Sequence, residues 1–276
     1  MNGIINHIRE RLCSAYDADE ALALAYWIVE ERTALTRSDI IVGREVPNIP
    51  DLDGIIDRLL RHEPIQYIFG HTAWMGLDLL VSPATLIPRP ETAEILRLLP
   101  TTEEPLRVLD IGTGSGCIAI AVKRAHPTWQ VSAIDISADA LAIAKENARR
   151  CDVDIDFHQV DILDSSLCEQ SKIKNQKSFD LLVSNPPYIM ESERASMSPN
   201  VLEHEPHTAL FVPDNDPLLF YRRIAQLHWA PALLFEINEA LGSETAAMLR
   251  KEGYTDVTIV RDSYGKERFI TARIPE

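Results

Sequence analysis

The chain has 276 residues, of which 46% are hydrophobic and 25% are charged, and its formal net charge is −15. This composition is typical of a globular protein with one large domain or two. The acidic balance argues against duplex DNA or long RNA as a partner, because phosphate binding normally leaves a basic surface.

Targeting and redox features favour a cytoplasmic protein. No apolar run approaches the ~20 residues that a membrane span needs, so no membrane association is expected. The N-terminus reaches Arg9 and Glu10 too soon for a signal peptide. The cysteines have neither metal-like spacing nor a dense framework, which fits reduced thiols. They are Cys13, Cys117, Cys151 and Cys168.

Residues 1–70 are predicted to form a small helical domain. Apolar side chains recur at helical spacing over 17–35 and again over 51–62, where Pro64 ends the pattern. Strand signals are few in this part of the chain. We therefore expect a small helix bundle here.

The hydrophobic period changes after this domain. Two short runs at 71–75 and 77–81 flank Gly76, a pattern that predicts a β-hairpin. A proline-rich, extended segment follows at 82–90. We place the boundary between two domains within residues 71–90.

Strands and helices alternate over residues 91–276. The predicted strands are 107–111, 130–134, 155–160, 179–184, 232–237, 257–260 and 267–272. The predicted helices are 91–99, 117–125, 138–150, 218–227 and 243–252. Such alternation favours a mostly parallel sheet with helices on both faces. The two successive strands at the end predict one antiparallel edge strand.

A glycine loop follows the first of these strands. Glycines allow positive φ and let a ligand approach without a Cβ in the way. The spacing is Gly-x-Gly-x-Gly, and not the Gly-x-Gly-x-x-Gly of dinucleotide enzymes. Asp110 precedes the loop, and its carboxylate would disfavour a pyrophosphate but tolerate a cationic amino group and a sulfonium. The loop consists of Gly112, Thr113, Gly114, Ser115 and Gly116.

Acidic residues at the ends of the next two strands complete a predicted cofactor site. Asp135 ends one strand, where a carboxylate can accept from both ribose hydroxyls. Asp161 and Ile162 end the next and form a polar and apolar pair suited to an adenine ring. Together with the loop they predict an S-adenosylmethionine site, with NAD as the alternative. Asp161 taken alone is equally consistent with an exposed turn carboxylate.

A stiff corner follows the strand at 179–184. Asn185, Pro186, Pro187 and Tyr188 stop this strand, because prolines cannot donate to a sheet ladder and fix φ near about −65°. The corner lies at the carboxyl end of a central strand, where open α/β sheets hold ligands. Its amide oxygen, backbone carbonyls and aromatic face suit a planar amino group. An ordinary strand-terminating turn is the alternative.

The glycine loop, the acidic second strand and Asn-Pro-Pro-Tyr, in this order, resemble class I methyltransferases that act on nitrogen. Three further stretches resemble the release-factor glutamine N5-methyltransferases, the HemK-like family. They are Glu-Pro-Ile-Gln-Tyr-Ile-Phe-Gly at 63–70, Ser-Pro-Ala-Thr-Leu-Ile-Pro-Arg-Pro-Glu-Thr at 82–92 and Glu-Pro-His-Thr-Ala-Leu at 205–210. Residues 1–62 match only in helical character. The chain departs from the family at Ala93, usually a glutamate, and at Asn238, commonly a glycine.

The resemblance implies a fold and a reaction. The fold is a Rossmann-like class I methyltransferase domain at 91–276 with a mostly parallel seven-stranded sheet. A small all-α domain at 1–70, which docks the substrate, is joined to it by the β-hairpin and linker at 71–90. The reaction is methyl transfer from S-adenosylmethionine to the side-chain amide nitrogen, N5, of the glutamine in the Gly-Gly-Gln loop of peptide-chain release factors. The alternatives are methylation of an exocyclic base amine in DNA or RNA, or an inactive binding module.

Roles for individual residues follow from the corner and from the resemblance. The Asn185 side-chain oxygen and the Pro186 carbonyl are expected to accept the two amide hydrogens, and Tyr188 to pack on the amide plane. Pro187 belongs to the same substrate corner, and Asn185 is also expected to touch the cofactor. Arg89 is expected at the domain junction, near the substrate, with an ordinary solvated arginine as the alternative.

Residues 189–217 form a long connection, which predicts a partly ordered lid over the substrate. The Glu and His residues within it match no zinc signature, so no metal site is predicted. We expect a monomer whose partner is a release factor, without direct nucleic-acid binding.

Overall fold

The computed structural model describes residues 3–165 and 179–275. The chain divides into two compact units, Met1–Gly70 with Ser198–His204, and His71–Met197 with Glu205–Glu276. No helix within the described ranges is long and apolar enough to cross a bilayer. The described cysteines are free thiols, whereas Cys168 lies outside the described residues.

The first unit is helical, which confirms the predicted all-α character. Its helices are α1 (Gly3–Leu12), α2 (Ala18–Arg32), α3 (Arg37–Ile41), α4 (Leu52–Leu59) and α5 (Ile65–Phe69). Asp17 caps α2 by accepting from two backbone N–H groups, and Thr36 with Asp39 forms a capping box on α3. Fully buried isoleucines such as Ile5 and Ile56 form its core. The apolar side chains that recur at helical spacing therefore mark the buried faces of these helices.

The second unit contains the strands and the remaining helices. Its strands are β1 (His71–Trp74), β2 (Leu77–Leu80), β3 (Arg107–Ile111), β4 (Gln130–Asp135), β5 (Asp156–Gln159), β6 (Leu181–Ser184), β7 (Ile189–Met190), β8 (Phe211–Val212), β9 (Ala232–Glu236), β10 (Thr255–Arg261) and β11 (Glu267–Arg273). The helices that follow α5 are α6 (Cys117–Ala125), α7 (Ala138–Arg150), α8 (Pro199–His204), α9 (Leu219–Leu227) and α10 (Gly242–Lys251), of which α8 groups with the first unit.

The predicted hairpin is present as the antiparallel pair β1 and β2. Met75 and Gly76 both have positive φ at its turn, as a two-residue hairpin loop requires. Trp74 and Leu79 are buried in the apolar cluster on one face of the main sheet. The hairpin thus contributes to the core of the second unit.

The described residues form a seven-stranded sheet in the order β10-β11-β9-β6-β3-β4-β5. The pairs from β9 to β5 are parallel, which confirms the mostly parallel sheet. The predicted antiparallel edge strand is wrong in its position, because β11 is the reversed strand and lies between β9 and β10. β11 buries Phe269, Ile270 and Ala272, whereas β10 has no buried residue. The more deeply buried strand therefore occupies the inner position.

Helices cover both faces of the sheet. Leu109 and Ile111 of β3 join the cluster formed with α9 and α10, while Val108 joins the cluster formed with α6. Alternate side chains of one strand point to opposite faces, so each face is sealed by its own set of helices. This arrangement leaves the carboxyl ends of the parallel strands available for a ligand.

Two connecting segments differ from a simple helix or loop. The predicted helix at 91–99 is a 3₁₀-helix, Glu91–Leu98. Its tighter winding aligns residues three apart, and Thr92 and Ile95 are both buried. The connection over 189–217 has regular structure, because β7 pairs with β8 and short helices lie between them.

Candidate active site

A cavity of about 390 Å³ lies at the carboxyl ends of the parallel strands. This volume falls within the range of about 300–1,000 Å³ usual for small-molecule sites. Residues that follow β3, β4, β5 and β6 contribute to its wall, together with the proline-rich segment after the hairpin. The position is the one at which open α/β sheets bind ligands.

Most of the predicted site residues meet at this cavity. Those on its wall are Arg89, Gly112, Thr113, Gly114, Ser115, Asp135, Asp161, Ile162, Asn185, Pro186 and Pro187. Among the described residues, Gly116 and Tyr188 are the predicted site residues that the wall does not include. Two groups widely separated in the sequence, the glycine loop and the Asn-Pro-Pro corner, therefore face the same space.

The glycine loop is held by the end of the neighbouring strand. The N–H groups of Gly112 and Thr113 both donate to the Ile134 carbonyl, at 2.9 and 3.0 Å. The N–H of Gly114 donates to Asp135 Oδ2 at 2.8 Å. A phosphate-binding loop directs such N–H groups at its ligand. Here they are engaged within the protein, which argues against the dinucleotide alternative.

The three glycines have different roles. Gly112 and Gly114 have φ of 74° and 55°, and a Cβ added at either would meet nothing within 4 Å. Both glycines lie on the cavity wall, where a ligand can approach the backbone because no side chain is in the way. A Cβ at Gly116 would instead lie 3.1 Å from the Ala144 side chain. Gly116 therefore permits the close packing of α6 on α7.

Asp135 is fixed by two backbone hydrogen bonds. Its Oδ2 accepts from Gly114, and its Oδ1 accepts from the N–H of Ser137 at 2.9 Å. Each carboxylate oxygen has a second acceptor site. The side chain is thus oriented in advance and can still accept from two hydroxyl groups of a ligand.

Asp110 is a buried carboxyl group at the end of β3. Its exposure is 1%, Oδ2 accepts from Thr113 Oγ1 at 2.6 Å, and Oδ1 is buried without a hydrogen-bond partner among the described residues. Burial raises the pKa of Asp110 to about 7, and the charge of Asp135 acts in the same direction. A cation in the cavity would lower the cost of ionising this group. These two acidic side chains therefore fit a cationic nucleoside such as S-adenosylmethionine.

The corner is fixed at its base. Ser184 Oγ donates to the Ile111 carbonyl at 2.6 Å, which ties the end of β6 to β3. The Asn185 amide nitrogen donates to Thr92 Oγ1 at 3.5 Å. Because the nitrogen faces Thr92, the Asn185 side-chain oxygen is the group available as an acceptor.

Tyr188 does not reach the cavity wall. Its hydroxyl donates to Glu236 Oε1 at 3.2 Å, and its ring packs against one of the apolar clusters of the sheet. Glu236 is buried, and this burial raises its pKa. Asn238, one of the departures from the family pattern, donates to the Tyr188 carbonyl at 3.1 Å. The tyrosine is held from both its hydroxyl and its backbone.

Two buried polar side chains that hold segments around the cavity have no clear sequence signal. Asn147 of α7 is fully buried; it accepts from the Leu80 N–H and donates to the carbonyls of Leu80 and Ser115. It thereby joins the hairpin to the glycine loop. Glu205 is also buried and pairs with Arg89 at 2.7 Å. Its Glu-Pro-His-Thr stretch carries family resemblance, but nothing local indicates a buried ion pair.

Comparisons with known proteins identify the family and the fold. Residues 4–70 match the family model for the PrmC N-terminal domain, and residues 91–207 match that for the methyltransferase small domain. The hMettl16 catalytic domain superposes with a TM-score of 0.56 at 16% identity, covering 84% of this chain and 93% of that one. A methyltransferase from Pyrococcus furiosus gives 0.52 at 17% identity, covering 79% and 96%. At these identities the structures show a shared fold.

Relatives named release factor glutamine methyltransferase are much more similar in sequence. The protein from Bacteroides thetaiotaomicron is 42% identical over 99% of both chains. That from Flavobacterium psychrophilum is 42% identical over 95% of this chain and 94% of its own, and that from Staphylococcus aureus is 34% identical over 90% of both. On this similarity across nearly its whole length, the chain belongs to the family of release factor glutamine methyltransferases.

Proposed function

We propose that this protein transfers a methyl group from S-adenosylmethionine to N5 of the glutamine in the Gly-Gly-Gln loop of a peptide-chain release factor. The observation that carries the proposal is the shared cavity of the glycine loop and the Asn-Pro-Pro corner. One wall suits a cofactor and the other suits an amide. Release factors act on the ribosome, so the reaction takes place in the cytoplasm.

The cofactor wall has three parts. When bound, S-adenosylmethionine supplies a methyl group that its sulfonium already activates for transfer. Asp135 accepts from the ribose hydroxyls, because its carboxylate is fixed and has acceptor sites left. Asp161 and Ile162 hold the adenine with one polar and one apolar group. Gly112 and Gly114 let the ligand lie against the backbone.

The substrate wall positions a poor nucleophile. An amide nitrogen is weakly nucleophilic because its lone pair is delocalised into the carbonyl. The Asn185 side-chain oxygen and the Pro186 carbonyl accept hydrogen bonds from its two N–H groups, which fixes the nitrogen and favours the positive charge that it develops. After transfer the nitrogen releases one proton to water. Pro187 stiffens the corner. The ring of Tyr188 lies off the cavity wall, and its hydroxyl donates to Glu236. Tyr188 therefore stabilises the corner from outside the cavity.

The helical unit at 1–70 is proposed to dock the body of the release factor, while the glutamine enters the cavity formed by the proline-rich segment and residues of 91–276. The residues 71–90 join the two, with the hairpin packed into the second unit. The protein is proposed to act as a monomer.

The direct test is labelled methyl transfer to a purified release factor, followed by mass spectrometry of the loop peptide. The glutamine should gain one methyl group at its side-chain nitrogen. If the first unit docks the substrate, kcat/KM for the whole factor should exceed that for the isolated loop peptide by roughly 10²-fold. Equal kcat/KM values for the factor and the peptide would show that the first unit does not dock the substrate. Methylation of nucleic acid in place of the factor would contradict the proposed reaction.

Replacing Asp135 by Ala should weaken binding of S-adenosylmethionine by about 1.5–3 kcal/mol, the usual scale for hydrogen bonds to a charged group. Calorimetric titration of the folded variant measures this change. Asp139→Ala, in the first turn of α7 but not on the cavity wall, is the matched control and should bind as the parent does. If Asp135→Ala binds S-adenosylmethionine as tightly as the parent does, Asp135 does not hold the ribose.

A further inference from the structure

The cavity wall has one basic side chain among the described residues, Arg89. The other charged residues on the wall are Asp135 and Asp161. Arg89 lies between Pro88 and Pro90, and its carbonyl accepts from Trp74 Nε1 at 2.8 Å. Its backbone is therefore fixed by the prolines and by the hairpin.

A buried carboxylate neutralises this arginine. Glu205 Oε1 accepts from Arg89 Nη2 at 2.7 Å, with side-chain exposures of 1% for Glu205 and 36% for Arg89. Glu205 Oε2 also accepts from the Ile87 N–H at 3.4 Å. The carboxylate thus holds both the arginine and the backbone of its segment, across 116 residues of sequence.

The pair leaves hydrogen-bond donors on the wall without a net positive charge. A guanidinium has five N–H groups in a fixed fork, and the bond to Glu205 uses one. The others can donate to a neutral acceptor such as a peptide carbonyl. A phosphate or a carboxylate, in contrast, would meet the buried charge of Glu205 behind the arginine.

We propose that Glu205 is a positioning and specificity-determining residue, which holds Arg89 as a neutralised donor for the carbonyl groups beside the target glutamine and disfavours anionic substrates. The proposal rests on the proposed function for the identity of the peptide. It gives a physical reason for selecting an uncharged Gly-Gly-Gln loop over a nucleotide. Arg89 contacts the substrate, and Glu205 acts through Arg89.

The test uses Glu205→Gln in the full chain, with two loop peptides that differ by a neutral or an aspartate residue next to Gly-Gly-Gln. The parent should prefer the neutral peptide. In Glu205→Gln, kcat/KM for the neutral peptide should fall about tenfold, mainly through KM, since a hydrogen bond to a charged group is no longer positioned. The acidic peptide should become the better one, because Arg89 is now uncompensated. Glu146→Gln makes the same change in an exposed helical ion pair and should alter neither value.

A second readout does not depend on methyl transfer. A fluorescent single-stranded oligonucleotide should bind Glu205→Gln more tightly than the parent, by roughly tenfold at low salt. The affinity for S-adenosylmethionine should stay unchanged in both proteins. Equal losses for the two peptides, or no change in either preference or oligonucleotide binding, would overturn the proposal.

The outcomes separate this inference from the proposed function. If the parent methylates no release factor, the function is wrong, and the oligonucleotide arm still tests the neutralised pair. If Glu205→Gln loses S-adenosylmethionine binding through misfolding, Arg89→Met with Glu205→Met removes both charges together. That double variant should keep the preference for the neutral peptide and raise its KM about tenfold. An unchanged KM would contradict the role of the pair.

Discussion

Asn185→Ala is expected to slow single-turnover methyl transfer about 10²–10³-fold at saturating cofactor, equivalent to roughly 2.7–4 kcal/mol. The change keeps both prolines and the bond from Ser184 to Ile111, so the backbone corner should survive. It removes the amide oxygen that orients the nucleophile. A modest loss of cofactor affinity is also expected, because Asn185 lies on the wall of the same cavity.

Asn185→Asp is the sharper variant, because it is nearly isosteric and keeps an acceptor while it adds a charge. It should retain part of the amide methylation, since a carboxylate can still accept an N–H. A direct titration with S-adenosylmethionine, run beside the rate measurement, separates positioning from cofactor binding. Transfer at the parent rate by Asn185→Ala would mean that the corner does not position the nucleophile.

Local sequence signals identify the strand ends that line the cavity on the side of the glycine loop. The strand before Gly112 and the strand that ends at Asp135 lie where their apolar runs indicate, and both residues line the cavity. Parallel strands bring their carboxyl ends to one edge, so the topology alone places these loops together. The same reasoning brings Asn185 to that edge.

Features that depend on distant partners could not be predicted. The sequence predicts that Tyr188 packs on the substrate amide, whereas its ring lies off the cavity wall and its hydroxyl donates to Glu236 of the neighbouring strand. Gly116 belongs to the glycine loop in sequence, yet its lack of a Cβ serves the packing against Ala144. The contact between Arg89 and Glu205 is likewise invisible to periodicity or spacing. Each depends on which surfaces the folded chain brings into contact.

The position of the reversed strand β11 in the sheet also could not be predicted from local sequence signals. Two strands at the chain end form a hairpin, and either could pair with β9, because backbone hydrogen bonding does not distinguish them. In the folded chain β11 is the inner strand and buries Phe269 and Ile270, whereas β10 has no buried residue. Apolar content does not identify the inner strand, because β10 has Val257, Ile259 and Val260 where β11 has Phe269, Ile270 and Ala272.

Asp110 should make the free energy of unfolding fall as the pH rises from about 4 to about 7. Burial raises the pKa of Asp110 from 3.8 to about 7 in the folded protein. The folded state therefore holds a proton that the unfolded state has released, and stability present below the lower pKa is lost as the pH rises through the higher one. At about 1.4 kcal/mol per pH unit, the full loss is about 4 kcal/mol.

Asp110→Asn has no such titration, so its stability relative to the parent should increase by about 3 kcal/mol from about pH 4.5 to about pH 8. Urea unfolding of both proteins without cofactor measures the difference, and groups that titrate in both cancel. Thr113→Val adds a check of direction. It removes the hydrogen bond that lowers the pKa of Asp110, so the fall in stability should extend to higher pH. A constant difference between the parent and Asp110→Asn would show that Asp110 stays ionised in the folded protein, as a carboxylate stabilised by its surroundings would.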